Sequence, residues 1–328
     1  ESNLPIDLLE NPQASSGEIL MKAIVCTRYG PPEVLQLKEV KKPMPRKNEV
    51  RIKIFATAVT ASDCLIRGLK FRPRARLLIR LLFGVKAPRQ PILGMVLAGE
   101  IDSVGRDVSA FKPGDPVFGI SERRYGTYAQ FVCWPASGLL AVPPANLTFE
   151  EAAALPYGGL LALYFIRKAE IKAGQKVLVY GASGAIGTAA VQLIRHLGAN
   201  VTGVCSTANL QLVESLGADA VIDYTREDFT SRPERYDVIF DAVGRRKSRG
   251  ALADSHLALL PNGKVVSVDD ESPKMTAADL VILQELAESG TLKPVIDRIY
   301  PLEETAEAHR YVDGGHKKGN VIITVTHP

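Results

Sequence analysis

The sequence predicts an α/β protein, in which a doubly wound parallel sheet adjoins a smaller domain of short strands. From residue 147 onward strands and helices alternate, which is the pattern of a parallel sheet covered by helices on both faces. Before residue 147 short segments of alternating or apolar residues are separated by Gly and Pro turns, as in a small β-barrel-like domain. The length of 328 residues fits about two domains.

The composition indicates a folded protein with few charge-driven partners. The chain is 46% hydrophobic and 23% charged, so it can bury a core. Its formal net charge of +4 indicates no nucleic-acid partner, and no apolar run is long enough to span a membrane. The widely spaced cysteines, Cys26, Cys64, Cys133 and Cys205, favour reduced thiols over disulfides or a structural zinc lobe. We therefore expect a cytoplasmic protein.

The same patterns predict the domain boundaries. Residues 1–20 contain several acids and two prolines and are expected to be a tail or a remnant of cloning. Residues 21–146 together with 271–328 are expected to form the β-rich domain, and residues 147–270 the parallel-sheet domain.

Individual elements can be placed from local signals. Alternation, β-branched runs and turn residues predict early strands at 22–26, 49–55, 94–104, after the turn at 111–116, and at 125–132. Later strands are predicted at 176–181, 201–205, 219–222, 237–242 and 264–269, and a last helix over 277–289 leads to a final strand at 320–325. Thr148, followed by two glutamates, marks a helix start. About five strands are therefore expected in the parallel sheet.

A glycine-rich turn carries the clearest functional signal. Residues 177–187 read Val-Leu-Val-Tyr-Gly-Ala-Ser-Gly-Ala-Ile-Gly, an apolar strand that runs into a turn and then a helix. Ala182 allows a tight turn, Gly184 allows a pyrophosphate to approach its backbone, and Gly187 allows the helix to pack close to the strand. Free N–H groups at the helix start would face the phosphates. The turn therefore predicts a dinucleotide-binding βαβ unit.

Six motifs spread over the chain resemble those of the medium-chain dehydrogenase/reductase superfamily, and within it the zinc-independent quinone oxidoreductase-like branch. The resemblance runs from Met21 to Val325. The motifs are Val59–Asp63, Pro91–Glu100, Lys112–Asp115, Ala152–Pro156 with Gly159, the glycine turn, and Gly315–Asn320. The resemblance implies a Rossmann domain, a GroES-like catalytic domain and hydride transfer. It assigns cofactor contacts to Gly181, Ser183, Gly184, Ala185, Ile186, Gly187, Ser206, Tyr224, Val268, Lys318 and Asn320.

The resemblance also allows zinc to be tested. Zinc-dependent relatives have a Cys ligand before the Ser-Asp pair and a Gly-His-Glu triplet, where this chain has Thr60 and Gly94-Met95-Val96. A hydroxyl and a thioether do not replace a thiolate and an imidazole on Zn²⁺. The histidines are expected at the surface or at helix ends rather than as ligands: His196, His256, His309, His316 and His327. We expect no metal.

The residues after the second strand favour NADPH over NADH. An acid there would hold a ribose 2′-hydroxyl, but none occurs before Glu214. Ser206 is able to donate to a 2′-phosphate, although it is also compatible with an ordinary loop hydroxyl. The resemblance implies a phosphate contact for Tyr224. Relatives often have a cation in the stretch 207–210, and its absence here leaves Lys317 or Lys318 as candidates.

Catalysis would require a hydrogen-bond donor for the acceptor oxygen. Thr60 and Asp63 match the family's cleft segment, and Asp63 is equally compatible with a structural acceptor. Leu65 stands where relatives have a Tyr, so Tyr157 or Tyr128 would supply a phenol unless they only pack. Quinones need little acid catalysis, which predicts an NADPH-dependent quinone reductase. Reduction of the double bond of enals or enones, and a non-catalytic NADPH-binding sensor or assembly protein, are the alternatives.

An insert and a missing strand bear on partners. Residues 67–89 carry many basic residues and no acid around an apolar run at 77–83. This segment either makes a weak contact with an anionic membrane surface or folds over the substrate mouth with its charges in water. The segment 270–275 is too short and polar for the sixth strand that pairs across many dimers of relatives, so we expect a monomer or an atypical dimer.

Overall fold

The computed structural model describes residues 19–71, 73–121 and 124–327. Most of the predicted tail, residues 1–18, therefore lies outside the described residues. Within the described ranges the chain forms two large sheets and a two-stranded antiparallel ribbon, β1 (Leu20–Cys26) with β2 (Leu35–Lys41).

One large sheet is mostly antiparallel. Its strands are β3 (Glu49–Ala58), β4 (Val96–Val104), β5 (Pro116–Ile120), β6 (Phe131–Pro135), β7 (Leu140–Ala141), β13 (Ile296–Pro301) and β14 (Asn320–Thr324). The pairing order is β13-β14-β3-β4-β5-β7, and β6 also pairs with β3. Among the described residues this path does not close into a ring. Val50, Ile52 and Ile54 of β3 are fully buried, as its alternating sequence predicts.

The second large sheet is parallel and has five strands, as predicted. Its strands are β8 (Lys176–Tyr180), β9 (Asn200–Cys205), β10 (Ala220–Asp223), β11 (Tyr236–Asp241) and β12 (Leu259–Ser267). Their order is β10-β9-β8-β11-β12, so the chain adds strands first on one side of β8 and then on the other. In an open α/β sheet a ligand crevice forms at the carboxyl ends of the strands at such a point.

Nine helices occur in the described ranges. Four of them are α1 (Ala61–Arg67), α2 (Pro73–Phe83), α3 (Phe149–Ala153) and α9 (Thr305–Asp313). The others are α4 (Pro156–Lys168), α5 (Ala185–His196), α6 (Leu210–Ser215), α7 (Arg245–Ser248) and α8 (Ala277–Glu288). Thr148 caps α3 through a capping box with Glu151, so the predicted helix start is confirmed.

Three details differ from the prediction. Residues 125–130 are irregular, because the positive φ of Gly126 breaks the strand before β6 begins at Phe131. The helix over 277–288 does not lead directly to the final strand, since β13 and α9 intervene. β12 begins at Leu259, earlier than predicted, and its register shifts near Asn262, whose φ is 69°.

The glycine turn explains how α5 approaches β8. A Cβ on Gly187 would lie 2.1 Å from the Gly181 oxygen and 2.7 Å from the Ala182 Cα. Both atoms are backbone atoms, so neither can rotate away. A Cβ on Gly184 would meet its nearest atom only at 3.5 Å. The predicted close packing at Gly187 is therefore confirmed.

These two glycines make a matched test of packing. We expect Gly187→Ala to destabilise the protein by about 3 kcal/mol or more, because the overpacking cost exceeds the helix propensity gained. Gly184→Ala should cost about 1 kcal/mol, the difference between glycine and alanine at an N-cap. Thermal unfolding without nucleotide measures both, and equal midpoints for the two variants would contradict this account of the turn.

Candidate functional site

The glycine turn lies at the point where the order of the parallel strands reverses. Gly181 follows β8 directly with a φ of 79°, and Gly184 begins α5. No side chain caps the first turn of α5, so its N–H groups are available to a ligand. Since the space beside Gly184 is open, an anionic group can approach this backbone closely. The geometry fits the pyrophosphate of a dinucleotide.

The segment that precedes β14 crosses this turn. The Gly319 N–H donates to the Ser183 oxygen at 2.8 Å, and Gly184 and Gly319 form a parallel β-bridge. Asn320 is buried, and both its backbone N–H and its side-chain amide donate to the Val295 oxygen, at 2.8 and 3.2 Å. The two large sheets therefore meet at the glycine turn.

Two lysines lie on this crossing segment. The Lys317 ammonium donates to the Gly319 oxygen at 2.5 Å, and burial lowers its pKa to about 8 against the opposing effect of the Asp297 carboxylate. The Lys318 backbone N–H donates to the Asp297 carboxylate at 2.9 Å. Lys317 is thus a cation held against the glycine turn rather than at the loop after β9.

The loop after β9 is tied to the glycine turn by an amide that the sequence analysis did not single out. The Asn209 Nδ2 donates to the Ser183 hydroxyl at 3.2 Å and to the Ser206 hydroxyl at 3.1 Å. Tyr224 follows β10 and is 52% exposed, so its ring is accessible beside the loop. Ser206, Tyr224 and the turn therefore occupy one edge of the parallel sheet.

A carboxylate also lies at this edge, although it is distant in the sequence. Asp223 ends β10 beside Cys205, and it accepts hydrogen bonds from Thr207 and Thr225. These bonds lower the pKa of Asp223, so it is ionised. Arg226, whose side chain is 74% exposed, lies 3.5 Å from the same carboxylate. Sequence spacing missed this group because β10, not β9, carries it.

The carboxyl ends of β11 and β12 are joined by a second buried acid. The Asp241 carboxylate accepts hydrogen bonds from the Ser248 and Ser267 hydroxyls at 2.6 and 2.8 Å. The Val268 N–H donates to the Asp241 backbone oxygen at 3.1 Å. This arrangement places Val268, a predicted cofactor contact, at the same edge as the glycine turn.

We call the residues around Asp63 the wall of the crevice. In this wall the Asp63 carboxylate accepts hydrogen bonds from backbone N–H groups and a hydroxyl. Thr60 and Asp63 form the capping box of α1, with the Thr60 N–H at 2.9 Å and its hydroxyl at 2.6 Å from the Asp63 carboxylate. The Gly94 N–H donates to the same carboxylate at 3.2 Å. Burial raises the pKa of Asp63 to about 6 against these bonds. The structural-acceptor alternative for Asp63 thus accounts for its contacts.

Thr60 also contacts Met95. The Thr60 hydroxyl lies 3.5 Å from the Met95 sulfur, and both residues are buried. Positions 60 and 95 are those where the resemblance places zinc ligands in other proteins. They are neighbours in space here too, but they present a hydroxyl and a thioether.

Neutral hydroxyl groups line the adjoining wall. The Ser62 hydroxyl and the Tyr157 phenol are 3.2 Å apart. Burial and the charge of Asp63 raise the pKa of Tyr157, so the phenol stays protonated at neutral pH. Tyr125 is also close enough for Asp63 and Tyr157 to raise its pKa. A protonated phenol is able to donate a hydrogen bond to an acceptor oxygen.

His309 corrects the prediction that the histidines lie at the surface or at helix ends. His309 is fully buried, His327 is half-buried between aromatic rings, and His196, His256 and His316 are exposed as expected. Burial lowers the pKa of His309 to about 3, so it is neutral. Its position on α9 explains the burial, because Thr305, Ala308, His309 and Val312 form the buried face of the helix. This spacing was the available signal.

The buried histidine completes a chain of hydrogen bonds. Its Nδ1 lies 3.4 Å from the Cys64 sulfur and its Nε2 lies 3.2 Å from the Tyr128 hydroxyl. Tyr128 in turn donates to Asp63. A consistent assignment has the Cys64 thiol donating to Nδ1, Nε2 donating to Tyr128, and Tyr128 donating to the carboxylate. Tyr128 is therefore occupied inside the wall of the crevice.

Comparison with known proteins agrees with this architecture. Residues 46–144 match the family described as "Alcohol dehydrogenase GroES-like domain", and residues 185–300 match "Zinc-binding dehydrogenase". The chain is similar to the structure of the quinone oxidoreductase from Coxiella burnetii, with a TM-score of 0.80 and 26% identity over 94% of this chain and 100% of that chain. The fold and the site thus define a dinucleotide-dependent oxidoreductase.

Curated relatives identify the family. A 2-methylene-furan-3-one reductase of Solanum lycopersicum is 32% identical over 98% of this chain and 85% of its own length. A quinone oxidoreductase of Sus scrofa is 31% identical over 93% of this chain and 97% of its own length. The chain belongs to the medium-chain dehydrogenase/reductase superfamily, whose members use NAD(P)H.

The buried histidine predicts a pH dependence of the free energy of unfolding that can be tested. Since the pKa of His309 is about 3 in the folded protein and ordinarily about 6.5, its contribution to stability falls as pH falls from 6.5 toward 3. The raised pKa of Asp63 acts in the opposite sense, because that contribution is lost as pH rises through about 6. The two effects largely cancel between pH 4 and 6 in the wild type.

His309→Gln removes one of these effects. The difference in unfolding free energy between wild type and variant should fall by about 1.4 kcal/mol for each pH unit from 6 to 4. Urea unfolding at pH 4, 5 and 6 measures it, with the exposed His196→Gln as the control. A difference that stays constant with pH would show that His309 is not buried in its neutral form.

Proposed function

We propose that this protein transfers a hydride from NADPH to a quinone without a metal ion. The observation that carries the proposal is the pairing of the open glycine turn with a crevice wall of neutral hydroxyls, in which Thr60 and Met95 occupy the positions of zinc ligands. The superfamily relatives support oxidoreductase activity on small molecules.

The donor set does not fit zinc. The Thr60 hydroxyl and N–H donate to the Asp63 carboxylate in the capping box, at 2.6 and 2.9 Å, and the Gly94 N–H donates to it at 3.2 Å from outside the box. Thioethers and protonated hydroxyls are poor ligands for Zn²⁺. Within the described residues no group of three His, Cys, Asp or Glu side chains is placed to hold a metal. No step of the proposed reaction uses a metal.

The proposed reaction consumes one NADPH, one quinone and one proton and yields NADP⁺ and a hydroquinone. When bound, NADPH supplies the hydride. Gly184 and the N–H groups of the first turn of α5 would hold its phosphates, and the backbone at Gly319 holds the glycine turn in place. We assign the hydrogen bonds to the acceptor oxygen to Tyr157 and Ser62, whose hydroxyls are 3.2 Å apart, and the proton reaches the reduced quinone from water.

The acceptor class is tested with NADPH oxidation followed at 340 nm, using matched panels of quinones, enals and enones with and without a chelator. We expect quinones to be turned over at the same rate with and without the chelator. Turnover of simple ketones alone would contradict the proposal. Absence of turnover despite tight NADPH binding would favour the non-catalytic alternative.

Reduction of enals and enones is the second candidate. One relative carries the name of a reductase of a methylene furanone, which is a conjugated ketone. A phenol donor stabilises a developing enolate more than it stabilises a reduced quinone. The aromatic ring of the reduced quinone already delocalises the negative charge. The two readings therefore differ in their dependence on Tyr157.

Tyr157→Phe separates these two acceptor classes. We expect enone turnover to fall about 100-fold, the usual effect of losing one hydrogen-bond donor to a developing oxyanion. Quinone turnover should change by less than about threefold, because the charge of a reduced quinone is already spread over its ring. Tyr164→Phe removes an exposed phenol that bonds to Glu271 and serves as the matched control. A 100-fold loss with quinones would assign the essential donor to Tyr157 for both classes.

The preference for NADPH is proposed from the edge formed by Ser206, Tyr224 and Arg226. Asp223 is occupied by two threonine hydroxyls and balanced by Arg226, so it is not free to hold a ribose 2′-hydroxyl. Arg226, rather than Lys317 or Lys318, is the cation that we assign to the 2′-phosphate. An exposed guanidinium makes bidentate contacts with phosphate readily.

Arg226→Gln tests this assignment. We expect the Kd for NADPH to rise about tenfold, because one charged contact is lost, while the Kd for NADH stays unchanged. Arg232→Gln, in the same connection between β10 and β11 and paired with Glu227 and Glu234, is the control. Fluorescence titration of both nucleotides measures the ratio, and an equal loss of NADH affinity would contradict a specific phosphate contact.

We further propose a cytoplasmic protein that is a monomer or a dimer built without pairing of the parallel sheets. The four cysteines are free, as suits a reducing compartment. β12 is the last strand at its edge of the parallel sheet. Continuous sheet pairing across a dimer, seen in a crystal, would overturn the proposal on assembly.

A further inference from the structure

The helix α2 presents a row of leucines to solvent. Leu77, Leu78, Leu81 and Leu82 are each between 57% and 67% exposed, and Val85 just beyond the helix is 62% exposed. At about 3.6 residues per turn these four leucines share one stripe of the helix surface. Large exposed apolar patches of this kind mark interaction sites.

The inner face of α2 is already occupied, so the outer leucines are not a misplaced core. Ile79 and Phe83 face the protein and are partly buried, and the Phe83 ring contacts the Tyr125 ring at 6.3 Å between centroids. The Tyr29 hydroxyl donates to the Gly84 oxygen at 2.9 Å, and Arg89 donates to the Leu81 oxygen at 3.0 Å. These contacts fix the rotation of the helix and direct the leucines outward.

The apolar row is bordered by positive charge. Arg76 and Arg80 project beside it, and Lys86 and Arg89 follow the helix. No carboxylate among the described residues pairs with any of these four cations. The sequence contains no Asp or Glu between Asp63 and Glu100. Across the part of the chain that the structure describes, this surface is therefore apolar and basic, and no acid is paired with its cations.

We propose that α2 binds the surface of an anionic lipid bilayer. Its leucines would enter the interface between headgroups and acyl chains, and Arg76, Arg80 and Lys86 would contact the anionic headgroups. A second copy of this chain fits less well, because a symmetric contact would bring the same guanidinium groups together. The helix has 11 residues, and none of the described helices has the length and hydropathy required to span a bilayer. The proposed contact is thus peripheral.

The contact would lie close to the crevice. Tyr125, against which Phe83 packs, is near enough to Asp63 and Tyr157 for their charges to affect its pKa. A lipophilic acceptor dissolved in the bilayer would therefore approach the crevice beside α2. This consequence rests on the proposed function, whereas the membrane contact does not.

Vesicle binding tests the contact without nucleotide or acceptor. The full chain is sedimented with vesicles of phosphatidylcholine alone and with vesicles of two parts phosphatidylcholine to one part phosphatidylserine. We expect binding to the second kind only, weakening as salt rises. Arg80→Gln with Lys86→Gln should weaken it about fivefold for each charge. Leu78→Ser with Leu81→Ser should weaken it at least about tenfold.

Two controls keep the result specific. Leu257→Ser removes an exposed leucine elsewhere, and Arg106→Gln removes an exposed cation elsewhere. Both should bind vesicles as the wild type does, and equal thermal midpoints show that all variants fold. Equal binding to both kinds of vesicle, or no binding, would overturn the proposal. A dimer that dissociates in the leucine variant, with vesicle binding unchanged, would assign the leucines to a second copy instead.

Discussion

The crevice depends on the contact between the glycine turn and the backbone before β14. The Gly319–Ser183 hydrogen bond and the Gly184–Gly319 bridge join the parallel sheet to the antiparallel sheet at the point where the strand order reverses. A Cβ on Gly319 would lie 2.2 Å from the Val295 oxygen, and its φ is 47°. Only glycine meets both demands without strain. The proposed phosphate site and the proposed acceptor site therefore both depend on this contact between the sheets.

The wall is organised by burial of Asp63. A carboxylate removed from water is costly unless several donors surround it. Thr60, Gly94 and Tyr128 supply those donors, and His309 and Cys64 extend the chain of hydrogen bonds behind them. Because Asp63 is used in this way, the groups left to face a ligand are neutral hydroxyls. The negative charge of the Asp63 carboxylate is therefore compensated by donors of the protein itself rather than by a ligand.

Much of this could be predicted from sequence, and the exceptions share a cause. The alternation after residue 147, the capping box at Thr148 and the turn at Gly187 are local patterns, and the structure confirms them. The carboxylate at Asp223 and the neutral His309 depend on partners in other elements of the fold. Thr207 follows β9 and reaches Asp223 at the end of the neighbouring β10, and His309 meets Cys64 from a separate helix. Local periodicity can mark such a residue as buried, but it cannot name its partner.

The neutral wall favours acceptors that stabilise their own negative charge. A simple ketone becomes an alkoxide on hydride transfer, and it needs a cation, a metal or a strong acid near its oxygen. Tyr157 and Ser62 provide dipoles only, and the raised pKa of Tyr157 makes the phenol a weaker acid than usual. A quinone becomes an aromatic phenolate. Its charge is delocalised over the ring, and its oxygen accepts a proton from water. This is why our proposed function ranks quinones first, conjugated ketones second and isolated ketones last.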